Sequence, residues 1–179
     1  IYAEKVLGRE NPRVALLNIG SEEAKGSQFA QTCHGLLKEQ VPNFVGNAEG
    51  NDVLAATYDV YVTDGFTGNV CLKTIEGTSK ALFGAIKGAF KKSPITMLGA
   101  MLVKGGLREL KDTVSSDRMG AAPVLGVKGA CMVGHGSSNE IAIKNGIHAA
   151  AKTVRLQVSE LIAQAVSSPA VSGKMNKSE

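Results

Sequence analysis

At 179 residues, 44% of them hydrophobic, the chain can bury the core of one full domain but not comfortably of two. A net charge of +4 with 20% charged residues admits an anionic substrate or an acidic partner and gives no ground for a nucleic-acid binder. Cys33, Cys71 and Cys131 stand singly in apolar surroundings without metal-ligand spacing and read as reduced, cytosolic thiols, not as a disulfide framework; neither a signal peptide nor a spanning run of about 18 apolar residues is evident. Ile1 is no initiator and YAEKVLG reads as the end of a helix, so the sequence is expected to be part of a longer chain.

The continuous apolar run RVALLNI (13–19), ended by Gly20, predicts a strand covered on both faces. A helix follows, with Ser27 as N-cap and Phe29, Cys33, Leu36, Leu37 and Gln40 on one face. NFVG (43–46) suits a second strand, GNAEGNDVLAA a loop and short helix, and YDVYVT (58–63) a third strand. From Asn69, the positions Cys71, Ile75, Leu82, Ile86 and Phe90 recur at helical spacing up to the Lys91-Lys92-Ser93-Pro94 break. A second helical segment runs from about Ile95 to Val114, interrupted at Gly105-Gly106. SSDRMGAAPVLGVKG reads as a loop and ACMVG (130–134) as the fourth strand. In the HGSSNE that follows, Ser137 and Glu140 have capping-box spacing. A last helix runs to about Val166, and residues 167–179 have the composition of a flexible tail.

Apolar strands alternating with helices predict an α/β domain over 1–166 with a mostly parallel sheet and a helical projection at about 92–114. In such sheets ligands bind where strands end and helices begin. That rule selects GSEEAKG (20–26), GNAEG (46–50), TDGFTGN (63–69) and GHGSSNE (134–140). Glycine lets backbone N–H groups approach an anion, and the helix behind adds partial positive charge. In TDGFTGN, Gly65 and Gly68 free the backbone, Thr67 offers a hydroxyl, and Asn69 is placed to cap; the same residues also make an ordinary turn held by Asp64. His135 suits either a phosphate-orienting or a purely structural role, and Ser137 fits a cap. Lys25 can offset anionic charge or be a solvated lysine; Glu49 can act as acid/base or as a helix-start charge. Cys131 and Cys71 read as core, and His34 and His148 carry no motif.

Taken in order, NPRVALLNIGSEEAKGS, NFVGNAEGND, DVYVTDGFTGNVCLKTIEG and GAAPVLGVKGACMVGHGSSNEIAIKNGI resemble the C-terminal half of the bacterial phosphate acyltransferase family, PlsX, from about Asn11 to Ala165. The resemblance implies a three-layer α/β/α Rossmann-like fold of the isopropylmalate dehydrogenase type, and it places the other half of the enzyme outside this sequence. It also implies transfer of a fatty acyl group from acyl-carrier protein to inorganic phosphate for phospholipid synthesis, with no cofactor. The implied setting is a cytoplasmic homodimer lying peripherally on the inner membrane face.

Positioning and electrostatic stabilisation can carry that reaction without a covalent enzyme intermediate. On this reading Asn69 donates to the reacting oxygen and Lys25 offsets phosphate charge, while Asp64, Gly65, Thr67, Gly68, His135, Gly136, Ser137 and Ser138 form the cradle. The segment ITMLGAMLV has basic flanks in Lys91, Lys92, Lys104, Arg108 and Lys111. It fits a membrane or carrier-protein surface centred on Leu98, Met101 and Leu102, or a dimer interface.

A phosphotransacetylase-like enzyme using a coenzyme A thioester shares the phosphate chemistry and stays open, as does a non-catalytic module that binds a membrane or partner. A nicotinamide-dependent dehydrogenase is disfavoured: no GxGxxG follows the first strand, and Asp52, Asp59 and Asp64 do not gather on one face.

Overall fold

The computed structural model describes residues 1–114 and 120–167, with backbone alone at 111–114. The expected tail therefore lies outside the described residues except for Ser167, which closes a helix. The chain divides into two compact units, residues 1–65, 123–132 and 150 onward in the first and residues 66–122 and 133–149 in the second.

The first unit opens with α1 (Tyr2–Lys5) and is built on β1 (Val14–Leu17), α2 (Gln28–Gln40), β2 (Phe44–Ala48), α3 (Gly50–Ala55) and β3 (Val60–Val62). The strands form a parallel sheet in the order β2-β1-β3, with Val14 paired to both Phe44 and Val60. The central strand carries the core: Ala15 and Leu16 are buried there, as is Ala48 on β2. Ser27 caps α2 as the sequence predicts, its Oγ accepting from Ala30 N at 3.2 Å, a bond worth about 1 kcal/mol. The face of α2 differs from expectation. Phe29 and Leu36 are exposed, and the buried residue is His34.

A bulge explains what His34 meets. Register shifts between Val14 and Leu16, which pair with Phe44 and Asn47, so β2 carries an extra residue there. Gly46 sits within it at φ +109°, a conformation that favours glycine. The bulge breaks the strict alternation of the strand, and both Asn47 and Ala48 are buried. A buried amide needs partners, and Asn47 finds them in His34 and the Glu22 carbonyl.

The second unit takes in α4 (Gly65–Phe90) from Phe66 onward and α5 (Pro94–Val114). The half-buried stripe of α4 includes Cys71, Ile75, Phe83, Ile86 and Phe90, so Phe83 replaces the expected Leu82, which is exposed. Between the helices Ser93 and Thr96 form a reciprocal cap: Ser93 N donates to Thr96 Oγ1 at 3.0 Å and Thr96 N to Ser93 Oγ at 3.2 Å. Pro94 follows at the first helical position, where its missing N–H costs nothing. Gly105-Gly106 do not interrupt α5.

Two further differences concern the C-terminal third. Residues 121–124, expected as loop, form β4 (Ala121–Val124) and pair with β5 (Cys131–Gly134) in a separate two-stranded sheet. The fourth expected strand is thus β5 of this second sheet and is not a member of the three-stranded one. Residues 115–119 of the same expected loop lie outside the described residues. The last helix is two, α6 (Glu140–Arg155) and α7 (Val158–Ser167), separated at Gln157, whose φ is +51°. Gly120, at φ +74°, lies so close to α6 that a Cβ there would meet Gly146 N at 2.4 Å and Ala142 O at 2.5 Å.

Candidate functional site

Each expected loop is handled differently by the fold. GSEEAKG remains a loop after β1, and side chains hold it. Asn18 Nδ2 donates to the Lys25 carbonyl at 3.1 Å, Asn47 Nδ2 to the Glu22 carbonyl at 2.7 Å, and Gln31 Nε2 to the Ala24 carbonyl at 2.8 Å. Lys38 binds Glu23 at 2.5 Å and holds its carboxyl below the usual carboxylate range. Lys25 itself is exposed and makes no ion pair among the described residues, so its ammonium can meet an anion. GNAEG is not a loop: Gly46 to Ala48 belong to β2, and Glu49 is the residue before α3. The Asp52 carboxylate accepts from Glu49 N at 2.8 Å, which supports the helix-start reading of that segment.

TDGFTGN is absorbed into a helix. Gly65 opens α4, and Thr67, Gly68 and Asn69 lie in its first turns. Asn69 is therefore not the cap; the residue before the helix is Asp64. Residues 65–67 form the first turn of α4, at the end of the helix where the macrodipole is positive. Gly65 has no positive φ, and a Cβ built on it meets nothing within 4 Å. The fold alone does not demand glycine there. The Asn69 side chain is exposed one turn farther on.

The turn after β5 is closed by its own histidine. His135 Nδ1 lies 2.7 Å from Ser137 Oγ and accepts from Ser137 N at 3.2 Å, and Ser138 N donates to the His135 carbonyl at 3.0 Å. Ser137 does not cap α6, contrary to the capping-box spacing. Asn139 does, its Oδ1 accepting from Ala142 N at 2.9 Å. With Nδ1 accepting, the neutral ring carries its proton on Nε2, a single donor suited to an oxyanion. Within this unit His135 lies in electrostatic reach of Glu76 on α4; the Lys73 ammonium, 2.9 Å away, is the larger cause of that carboxyl's lowered pKa. Residues 66–69 and 135–138 belong to the same unit, whereas Lys25, Asp64 and Gly65 belong to the other.

The basic, apolar helices separate the remaining predicted residues. Met101, Lys104 and Arg108 line a groove of about 790 Å³ between α4 and α5, opposite Phe83, Ile86 and Phe90. Leu98 and Leu102 do not line it and are 61% and 83% exposed, in one stripe with Ile95. Cys131, read as core, is exposed, while Cys33 and Cys71 are half-buried. No helix among the described residues is long and apolar enough to cross a membrane, and no metal-binding cluster of His, Cys, Asp or Glu occurs among them.

Sequence reasoning missed His34 and Asn47. Their signal was faint: a histidine on a helix of mixed polarity, and a glycine as the third residue of a strand.

Residues 1–161 match a family model described as fatty acid synthesis protein. The chain belongs to that family. Similar proteins carry the name phosphate acyltransferase. The one from Elusimicrobium minutum is 49% identical over 154 residues, covering 86% of this chain and 45% of that protein. The one from Brevibacillus brevis is 46% identical over 166 residues, covering 93% and 50%. That of Campylobacter jejuni subsp. doylei is 42% identical over 162 residues, covering 90% and 49%. The chain spans about half the length of the curated relatives it matches.

Proposed function

We propose that this chain is the C-terminal part of an acyltransferase that moves a fatty acyl group from acyl-carrier protein to inorganic phosphate, giving acyl phosphate for phospholipid synthesis. The carrying observation is the similarity to proteins named phosphate acyltransferase, which runs through 86–93% of the chain. The parallel β2-β1-β3 sheet supports the finer fold reading, a three-layer α/β/α arrangement of the isopropylmalate dehydrogenase type.

The chemistry assigned to the site is electrostatic. Inorganic phosphate attacks the thioester carbonyl carbon, the carbonyl oxygen gains negative charge, and collapse of the tetrahedral intermediate expels the carrier thiolate. Gly65 and the Thr67 hydroxyl, at the positive end of α4, with Gly68 and Gly136 leaving room for close approach, hold anionic oxygens. Asp64, Ser137 and Ser138 frame the cradle. Asn69 Nδ2 donates to the developing oxyanion, His135 donates from Nε2, and Lys25 offsets phosphate charge. Few cations in the cradle leave the phosphate nucleophilic.

Leu98, Met101 and Leu102, with Lys104 and Arg108, form the surface for the acidic carrier protein and for the membrane. The protein is proposed to act as a homodimer in the cytoplasm, peripheral to the inner membrane face. What supports this surface is the combination of exposed apolar residues on α5 with basic residues beside them.

The test uses the full-length protein. Carrier thiol released from acyl-carrier protein is followed with and without inorganic phosphate, in parallel with acyl-coenzyme A. Phosphate-dependent release from the carrier protein is expected; release only from coenzyme A assigns a phosphotransacetylase-like activity instead, and no phosphate-dependent release overturns catalysis. Asn69→Ala and Lys25→Ala at near-normal turnover would remove both residues from the mechanism.

A further inference from the structure

We infer that Asn47 is a positioning residue for Lys25, acting through the loop of residues 20–26; this rests on the proposed role of Lys25 beside phosphate. The bulge at Gly46 interrupts the alternation of β2 and leaves Asn47 95% buried, well away from any solvent role. Its amide is used at both ends. Nδ2 donates to the Glu22 carbonyl at 2.7 Å, so Oδ1 faces His34 and accepts from its Nδ1 at 2.9 Å.

His34 is buried to the same extent. It stands edge-on to Phe44 with ring centroids 5.1 Å apart, and its Nε2 lies 3.8 Å from the Glu23 carboxylate. The ring thus fixes the amide orientation, and the amide fixes the loop. Structural sense alone would fill this site with an apolar residue of the same volume, since a buried polar pair contributes little net stability against such a replacement. What the pair supplies is aim at the segment that carries Lys25.

Asn18 completes the device from the neighbouring strand. It sits at the end of β1, donates through Nδ2 to the Lys25 carbonyl at 3.1 Å, and accepts from Ile19 N at 2.8 Å. Gly26, at φ +89°, gives it room, because a Cβ there would lie 2.3 Å from Asn18 Oδ1. The Lys25 side chain folds back along Gly20, whose own Cβ position is 3.0 Å from Lys25 Cγ. Two amides, from adjacent strand ends, therefore grip the loop at Glu22 and at the backbone carbonyl of the exposed lysine itself.

The experiment compares Asn47→Asp, Lys25→Ala and the double variant in the full-length protein, with KM for inorganic phosphate and kcat measured separately. Asn47→Asp keeps the shape and the acceptor for His34 and loses the donor to Glu22. It is expected to raise KM for phosphate about tenfold, and to add less than about twofold when Lys25 is already alanine. A merely structural role would lower the unfolding midpoint and affect both backgrounds equally, and that additivity would overturn the inference. So would an unchanged KM for Asn47→Asp while Lys25→Ala is impaired. An unimpaired Lys25→Ala would instead sink the proposed role of Lys25. Asn18→Ala, on a half-buried side chain, carries the same comparison where Asn47→Asp fails to fold.

Discussion

The two glycine-bearing segments that follow β1 and β3 look alike on paper and are built on opposite principles. In GSEEAKG the glycine is structural: Gly26 occupies a positive φ and leaves no space for a Cβ beside Asn18. In TDGFTGN the leading glycine, Gly65, has open space around it and starts a helix that any residue could start. The first segment is shaped by side chains that tie it to the sheet. The second is shaped by the helix ladder, and its glycine is superfluous to the fold.

The largest expected effect lies on the second segment. Asn69→Ala should cut acyl phosphate formation about 100-fold, the loss of one donor to a developing oxyanion, about 3 kcal/mol in the barrier. Thermal unfolding should be unchanged, because the side chain is exposed. Gly26→Ala is the counterpart on the first segment. Strain and the clash with Asn18 should cost about 1–3 kcal/mol of stability, read in chemical denaturation. Gly65→Ala sharpens the contrast: it should leave stability equal or raise it by up to about 1 kcal/mol while lowering activity. Loss of stability instead would erase the distinction between the two glycines.

Away from both segments, Leu98→Asp with Leu102→Asp should abolish flotation with anionic vesicles without altering unfolding, since neither side chain is buried. The smallest effect concerns the salt bridge that ties the first segment to α2. Lys38 lowers the pKa of Glu23, so the stabilisation is fully present above the ordinary glutamate value and is lost as pH falls through the lowered one. The difference in unfolding midpoint between wild type and Lys38→Gln should be small at pH 7 and vanish in acid, because the pair is exposed.

The alternation of apolar strands with helices was readable, and so were Ser27 as a cap and the stop at Ser93-Pro94. These features depend on residues close in sequence. Misreadings arose where several partners compete for one group. Spacing favoured Ser137 as a cap, but His135 engages its hydroxyl and Asn139 caps α6 instead. Phe29 and Leu36 look like the buried face of α2, yet the bulge brings Asn47 into the interior and His34 becomes the buried residue. The strand at 121–124 was hidden because AAPV has little β-propensity and forms by pairing with β5.

The sequence by itself determined the α/β class, the order of the strand-end segments and their family, because periodicity, glycine placement and chain order are local or linear properties. Only the tertiary structure decided which of those segments stay loops, which amides are already engaged, and that a buried histidine and asparagine stand behind Lys25. The bonds from Asn47 to His34 and to Glu22 join separate elements, and no local pattern of residues announces such a pairing.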